Sequence, residues 1–545
     1  MKIIFYCFLF TTQLVAAQKL KKADQFIVGN LQTHISYLSN EALEGRRTGT
    51  KGEKLAYEYI SNEFLKAGLQ PKGDNAGFIQ TFTIEEGREL SPTAHLLING
   101  SALELNKDYF PLNFSSNSTV NGSAAIALQE NGAPWFYDLK ELLEANKNNP
   151  HFNLLDAIRT KAAYVAKKRA SAFLVYNSST TDDELSFDAR AVADSVTIPV
   201  IYITKAAKEK YFKDELATLD VQLKTELVDK KRYGHNVIGF IDNKATNTVI
   251  IGAHYDHLGY GEDHNSLYLG TVPMVHHGAD DNASGTAAVI ELSKLLKAAS
   301  FKNNNYLLIC FSGEELGLFG SKYFTEHATV DITKANYMIN LDMVGRLNDS
   351  TRRFTIGGYG TSPVWAQTLP VKDKFLTVKF DSTGAGPSDH TSFYRKNIPV
   401  LFFFTGLHSD YHKPTDVAAK INYSGELMVI KYIYNLIDAT NKKGRIAFTK
   451  TKETAMGTST SFKVTLGIMP DYSFTGMGVR ADGISDGRPA EKAGLKAGDV
   501  IVQLGDFPVT DLQTYMQTLN KFNKGQATKV KLLRANKAMY FDIVF

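Results

Sequence analysis

Three observations predict an α/β fold. The middle of the chain carries near-continuous apolar runs at 249–253, 306–311, 337–341 and 400–404, as strands covered on both faces require. Helical stretches separate them, notably "SGTAAVIELSKLLKAA", with Val289, Leu292 and Leu296 on one face. Crossover helices imply mostly parallel pairing. Polar, chemistry-bearing residues gather where these runs finish. The expected architecture is a mostly parallel mixed sheet with helices on both faces. At 545 residues the chain exceeds one domain, so further modules are expected around it.

The elements follow in chain order. "MKIIFYCFLFTTQLVAAQ" has one lysine, an apolar run and then Val15-Ala16-Ala17. This reads as a signal peptide over 1–17, cleaved before Gln18, too short and wrongly flanked to span a membrane. Export to the periplasm, the cell surface or the medium is expected, with no integral membrane segment in the mature chain. Cys7 leaves with the signal, so Cys310 has no partner within the mature chain and reads as a small buried hydrophobe. Residues 31–69 read as helical, with Leu55, Tyr59, Phe64 and Leu65 at roughly helical spacing and Gly68 as a stop. Between 91 and 228 the pieces "AAIAL", "SAFLVYN" and "IPVIYIT" alternate with lysine- and alanine-rich helical segments, as in a separate inserted module. The central domain then comprises 18–90 and 229–440. "NKKGRIAFTKTKETAMGTSTS" opens a linker over 441–464, with room for one strand, and 465–545 form a compact β-rich unit. A net charge of +4 with scattered lysines offers no nucleic-acid surface.

The ends of the central strands carry the chemistry. "IIGAHYDHLGYG" places His254 and Asp256 two apart, hence on one side of an extended backbone. A histidine ligand commonly has a carboxylate behind its other nitrogen. "HHGADDNASG" supplies Asp280 and Asp281 before a helix, "SGEELGLFGS" supplies Glu314 and Glu315, and "INLDMVG" supplies Asp342. "HSDYHKPTD" contains His408, Asp410, His412 and Asp416. A single such loop means little, since helix caps and satisfied histidines are common. Agreement of four or five strand ends points to a metal centre, because ligands of open α/β sheets gather at that edge. Imidazoles and carboxylates without thiolates favour zinc or a similar divalent ion in a catalytic role.

Taken together, "LEGRRTGTKGEKLAYEYI", "GAHYDHLG", "GADDNASG", "SGEELGLFGS", "NLDMVG" and "YHKPTD" resemble the zinc aminopeptidases of the M28 family, over roughly 30–90 and 235–440 and in family order. The resemblance implies two zinc ions per chain. It makes Asp281 the bridging ligand, with His254 and Asp342 on one ion and Glu315 and His412 on the other. It makes Glu314 the general base and Asp256 the aspartate behind His254. Asp280, His276, His277 and His408 are not carried over as ligands. The adjacent glutamates would repel in a core without compensation. One would bind a cation while its neighbour faces the reacting water. The substrates implied are peptides or protein N-termini. An amidase or dipeptidase of the same fold, and an inactive adhesive or receptor-like protein, are the alternatives. Retention of all five ligands and the base speaks against the latter. The related glutaminyl cyclases use one zinc on a similar fold, and the intact "GEEL" and "GADDNASG" favour two.

The 91–228 insertion resembles a protease-associated domain, which implies a part in substrate access or oligomer contacts and no chemistry. "FTGMGVRADGISDGRPAEKAGLKAGDVIVQLGDFPVTDLQTYMQTL" resembles a PDZ domain. That implies a groove near Met477-Gly478-Val479 able to take a chain terminus by strand addition.

Overall fold

Side chains along a strand alternate between faces, and in the central strands both sets are buried. Every residue of Asn304–Phe311 and of Ala335–Leu341 is buried. On one face Val249, Ile251, Tyr306, Leu308, Cys310, Tyr337, Ile339, Leu401 and Phe403 share a core with the helices Lys22–Leu38, Lys51–Lys66, Gly285–Ala298 and Tyr423–Thr440. On the other, Phe311 and Phe324 pack around Phe393, from the short helices Phe319–Glu326 and His390–Tyr394. Cys310 is a free, buried thiol.

This computed structural model describes residues 21–147, 152–183, 185–187, 195–214, 216–263, 265–268, 270–369, 375–451, 464–470, 474, 476–484, 487–510, 512–519 and 521–545. The expected signal peptide lies outside the described residues, as do 452–463 of the expected linker. No helix among the described residues is long and apolar enough to cross a membrane.

The described residues divide into two compact units, one within 1–80 and 235–452 and the other within 81–234 and 453–545. The first holds the central strands, in the spatial order Asn304–Phe311, Asn247–His254, Ala335–Leu341, Val400–Phe404, all parallel. Antiparallel partners flank them: Leu227–Ile241 beside 304–311 and Arg353–Gly357 beside 400–404. From the 247–254 strand the chain goes first to one neighbour and then to the other. That reversal opens a crevice at the carboxyl ends of the strands.

The continuous helical reading of 31–69 needs correction. Two helices, Lys22–Leu38 and Lys51–Lys66, are separated by a bend at Glu44, Gly45 and Arg46, all with positive φ. A Cβ at Gly45 would come within 2.6 Å of the Gly259 carbonyl oxygen and 2.7 Å of the His276 carbonyl oxygen. Close backbone approach breaks the helix here, a tertiary demand that periodicity does not register. Among residues 441–451 no strand forms. Ile446 is buried in the first core and its amide donates to Asn336 Oδ1 at 2.8 Å.

In the second unit, 81–234 builds two four-stranded sheets. One is antiparallel, with Thr218–Thr225 between His95–Ile98 and Ser118–Ala125. The other pairs Pro134–Asp138, Ala172–Tyr176 and Val200–Ile203 in parallel. The C-terminal segment forms its own antiparallel sheet, Ile468–Pro470, Val479–Ile484, Val500–Leu504, Ala527–Arg534 and Lys537–Val544 in spatial order, with helices Pro489–Ala493 and Leu512–Leu519.

Candidate metal centre

Five loops at the carboxyl edge bring the predicted residues together. His254 ends its strand, opposite Phe311 in the register. Asp342 directly follows the 335–341 strand. Glu314 and Glu315 follow the 304–311 strand, after Gly313 with φ +70°. Asp281 lies in the turn preceding the 285–298 helix, and His412 lies beyond the 400–404 strand with φ +55°.

The Asp281 carboxylate divides its oxygens between two clusters. Oδ1 lies 3.4 Å from His254 Nε2 and Oδ2 lies 3.3 Å from His412 Nε2. His254 Nε2 is also 3.5 Å from Asp342 Oδ1, and His412 Nε2 is 3.2 Å from Glu315 Oε2. Zinc bonds of about 2.0–2.1 Å in a tetrahedron separate ligand atoms by about 3.3 Å. Both clusters have that spacing, so the residues present fit two such ions. Among the described residues, His254–Asp281–Asp342 and His257–Asp281–Glu315 each bring three possible ligand atoms within 4.8 Å of one another, and Asp281 belongs to both. His412 touches both carboxylates of the second group at closer to ligand spacing, whereas His257 Nδ1 lies at a hydrogen-bond distance of 2.7 Å from Glu315 Oε1.

The electrostatics match that geometry. Burial pushes the Glu314 carboxyl well above the usual range, with His254 opposing and Glu315 and Asp342 reinforcing. Burial acts on Glu315 too, but His412 and the bond from His257 outweigh it and bring that carboxyl down to about 2. Asp256 anchors the strand end to the glutamate turn, accepting from the Glu314 amide at 3.2 Å, the Glu315 amide at 3.4 Å and Thr48 Oγ1 at 3.1 Å. Its own backbone carbonyl lies 3.2 Å from His254 Nδ1, nearer than its carboxylate at 3.6 Å. His412 Nδ1 is 2.9 Å from the Asn265 carbonyl oxygen. Each imidazole thus has an oxygen behind it to fix its orientation.

Residues 236–437 match the model of Peptidase family M28, and residues 448–544 match that of the PDZ domain. The chain carries an M28-family peptidase core. Among curated proteins it is similar to aminopeptidase YwaD of Bacillus subtilis, 26% identical over 407 residues, 70% of this chain and 78% of that protein. It is 29% identical over 224 residues to a probable leucine aminopeptidase of Trichophyton verrucosum, 38% of this chain and 57% of that protein. A solved zinc aminopeptidase from Bacillus subtilis aligns with TM-score 0.42 and 20% identity, covering 77% of this chain and 98% of that one.

The remaining polar groups of the M28 core serve the loops. His408 Nε2 lies 3.1 Å from Asp280 Oδ2, and Asp280 Oδ1 accepts from the Gly345 amide at 2.7 Å. His276 pairs with Ser266 Oγ at 2.7 Å, and His277 Nδ1 with the Ser39 carbonyl oxygen at 2.9 Å. Asp416 Oδ2 accepts from the Asp280 and Asp281 amides at 2.9 and 3.0 Å. Asp410 pairs with Lys420 at 2.7 Å. Sequence reasoning missed four residues. His257 stood inside the quoted "GAHYDHLG", three residues after a ligand candidate. Tyr411 stacks on the His412 ring, centroids 3.9 Å apart. Asp389 is buried and its carboxyl is pushed up to about 7, by burial first. Arg46, in "LEGRRTG", is 1% exposed. Its Nε donates to the Tyr255 carbonyl at 2.7 Å and its Nη atoms to those of His277 and Gly278 at 2.8 and 2.9 Å. It also bonds the Leu38 carbonyl. Burial lowers this guanidinium to about 10, with Asp281 and Asp256 opposing, so it stays charged at neutral pH beneath the ligand loops.

Proposed function

We propose that this chain is an exported two-zinc aminopeptidase that removes residues from the N-termini of peptides or proteins. The observation that carries the reading is the shared carboxylate of Asp281, one oxygen toward each cluster. His254, Asp342 and Asp281 would hold one ion, and Asp281, Glu315 and His412 the other. Bound there, the ions supply Lewis acidity toward a peptide carbonyl and make water a stronger acid. Glu314 takes the proton of the attacking water at its carboxylate and returns it to the departing amine. Its position supports this role: it stands beside the clusters, its side chain 11% exposed, with Oε2 3.8 Å from His254 Nε2. Asp256 holds the backbone of both glutamates and so sets their directions. Export rests on the apolar run before Ala17.

The accessory modules belong to the same reading. Residues 91–228 act as a protease-associated domain in substrate access or oligomer contacts. The groove near Met477-Gly478-Val479 of the PDZ unit takes a chain terminus by strand addition. The names of the curated relatives support aminopeptidase activity over other amide hydrolysis.

The test compares peptides with free and N-acetylated ends while zinc is measured by elemental analysis. About two zinc ions per chain and preference for the free amine are expected. Cleavage of blocked substrates alone would make it an amidase or dipeptidase. Neither zinc nor turnover would leave an inactive adhesive or receptor-like protein.

A further inference from the structure

Adjacent carboxylates with opposite tasks need something to tell them apart. Glu314 and Glu315 share a turn, and both backbone amides point to Asp256. The difference lies in their side chains. Glu315 Oε1 meets His257 Nδ1 at 2.7 Å, while its Oε2 faces His412 Nε2 at 3.2 Å. Among the described residues, Glu314 comes no closer to an imidazole nitrogen than 3.8 Å, at His254.

His257 is itself held firmly. It is 2% exposed. Its amide donates to the Arg46 carbonyl at 3.3 Å. Its ring lies against Gly278, where a Cβ would come within 2.5 Å of Cδ2, and meets the His412 ring edge-on with centroids 6.0 Å apart. Among the described residues Nε2 is buried without a hydrogen-bond partner, and Nδ1 is the nitrogen that meets Glu315.

On the two-metal reading, we propose that His257 is a positioning residue that selects Glu315 as the metal ligand. Its Nδ1–H takes Oε1 of Glu315 and leaves Oε2 to the second ion, beside His412 and Asp281. Glu314, without such a tether, keeps the freedom to carry a proton. Hydrogen bonds behind a ligand typically set metal affinity over about 10–100-fold.

The geometry suggests a pair of variants. In His257→Asn the amide nitrogen can occupy the place of Nδ1 and donate to Oε1. His257→Phe keeps the ring and removes the donor. Zinc affinities of the purified full chain are measured by competition with a chromophoric chelator, alongside kcat and KM. His257→Phe is expected to weaken one of the two ions about 10–100-fold and leave the other unchanged. His257→Asn should stay within a few-fold of wild type at both. Should His257→Phe fail to fold, His257→Ala is expected to show the same one-site loss. Wild-type affinity at both sites in the variant lacking the donor overturns the assignment. So does His257→Asn falling as far as that variant, which would make the imidazole itself a ligand. A wild-type chain that never binds two zinc ions overturns the two-metal reading instead.

Discussion

The helix Gly285–Ala298 adjoins two buried polar clusters built from similar residues. Midway along it, Glu291 meets His34 Nε2 at 3.2 Å, Lys294 Nζ at 2.7 Å and Asn30 Nδ2 at 3.2 Å. Just before its first turn, Asp281 stands with Glu314, Glu315 and Asp342 among His254, His257 and His412. The first cluster has more donors than carboxylates and is satisfied by the protein alone. Burial acts against the Glu291 charge, yet His34 and Lys294 hold its pKa below the ordinary value. The second crowds four carboxylates together; burial pushes on all four, and two of them, Glu314 and Asp342, end above their ordinary values. Arg46 is one fixed charge beneath them. A buried excess of negative charge is costly unless cations complete it. Balance between donors and acceptors therefore separates a structural network from a functional one.

The largest expected effect breaks the second cluster. Zinc at about a thousand times its Kd should stabilise wild type by about 4 kcal/mol per site. Asp281→Ala should lose most of that increment at both sites, together with turnover, because each cluster forfeits the shared carboxylate. Thermal unfolding with and without zinc, beside elemental analysis, reads this out. Two tightly held zinc ions in Asp281→Ala would show that the aspartate does not bridge. Glu314→Gln comes next. It should keep both ions and near-normal substrate binding while kcat falls by roughly 10²–10⁴-fold. Full turnover in the zinc-loaded variant would move the base role to another carboxylate.

The first cluster should respond in stability and pH, with no response to zinc. Glu291→Gln removes the charge on which His34, Lys294 and Asn30 converge and turns one acceptor oxygen into a donor, at a cost of about 1–3 kcal/mol near neutral pH. The sign follows from the depressed pKa of Glu291. Its stabilisation is present above the unfolded carboxylate value and lost as pH falls through the lower folded one. Wild type and variant should therefore converge in acid denaturation, while their zinc increments stay equal. A gap that widens on acidification would contradict the matched-charge account.

Much of this contrast was legible in the sequence, and some was not. The strands at 249–253, 306–311, 337–341 and 400–404 announced themselves because burial on both faces leaves unbroken apolar runs. The structure extends them only modestly, to 247–254, 304–311 and 335–341, with 400–404 unchanged. The residues now clustered around Asp281 were readable because each follows such a run. The bend at Gly45 was hidden, since its cause is the approach of Gly259 and His276 from some 200 residues away in sequence. Arg46 was hidden for the same reason: its partners are backbone carbonyls, which carry no sequence signature. His257 lay within a quoted motif, but its task depends on which oxygen of Glu315 it meets. Nothing in "SGTAAVIELSKLLKAA" marks Glu291, because its partners His34 and Asn30 stand 257 and 261 residues away in sequence.

The smallest expected effect extends the comparison to a matched pair in the PDZ unit. Asp499 is 1% exposed, and Arg534 grips it through Nε on Oδ1 and Nη2 on Oδ2, both at 2.7 Å. Asp499 also accepts from the Lys496 amide at 2.8 Å. The arginine side chain is 27% exposed, so water screens its charge and the pair is worth less than a fully buried one. Arg534→Lys keeps the charge but gives up the two-pronged geometry, and should cost about 1 kcal/mol of local stability. The PDZ unit has a hydrophobic core of its own, with Leu466, Ile501, Leu504, Val530 and Leu532 at its centre. Its loosening should therefore leave zinc content and short-peptide turnover at wild-type levels. Amide exchange in the 500–504 and 527–534 strands, measured beside zinc and kcat, checks both halves. Faster exchange with unchanged catalysis is the expected outcome. A fall in zinc content would mean that this matched pair supports the metal centre after all.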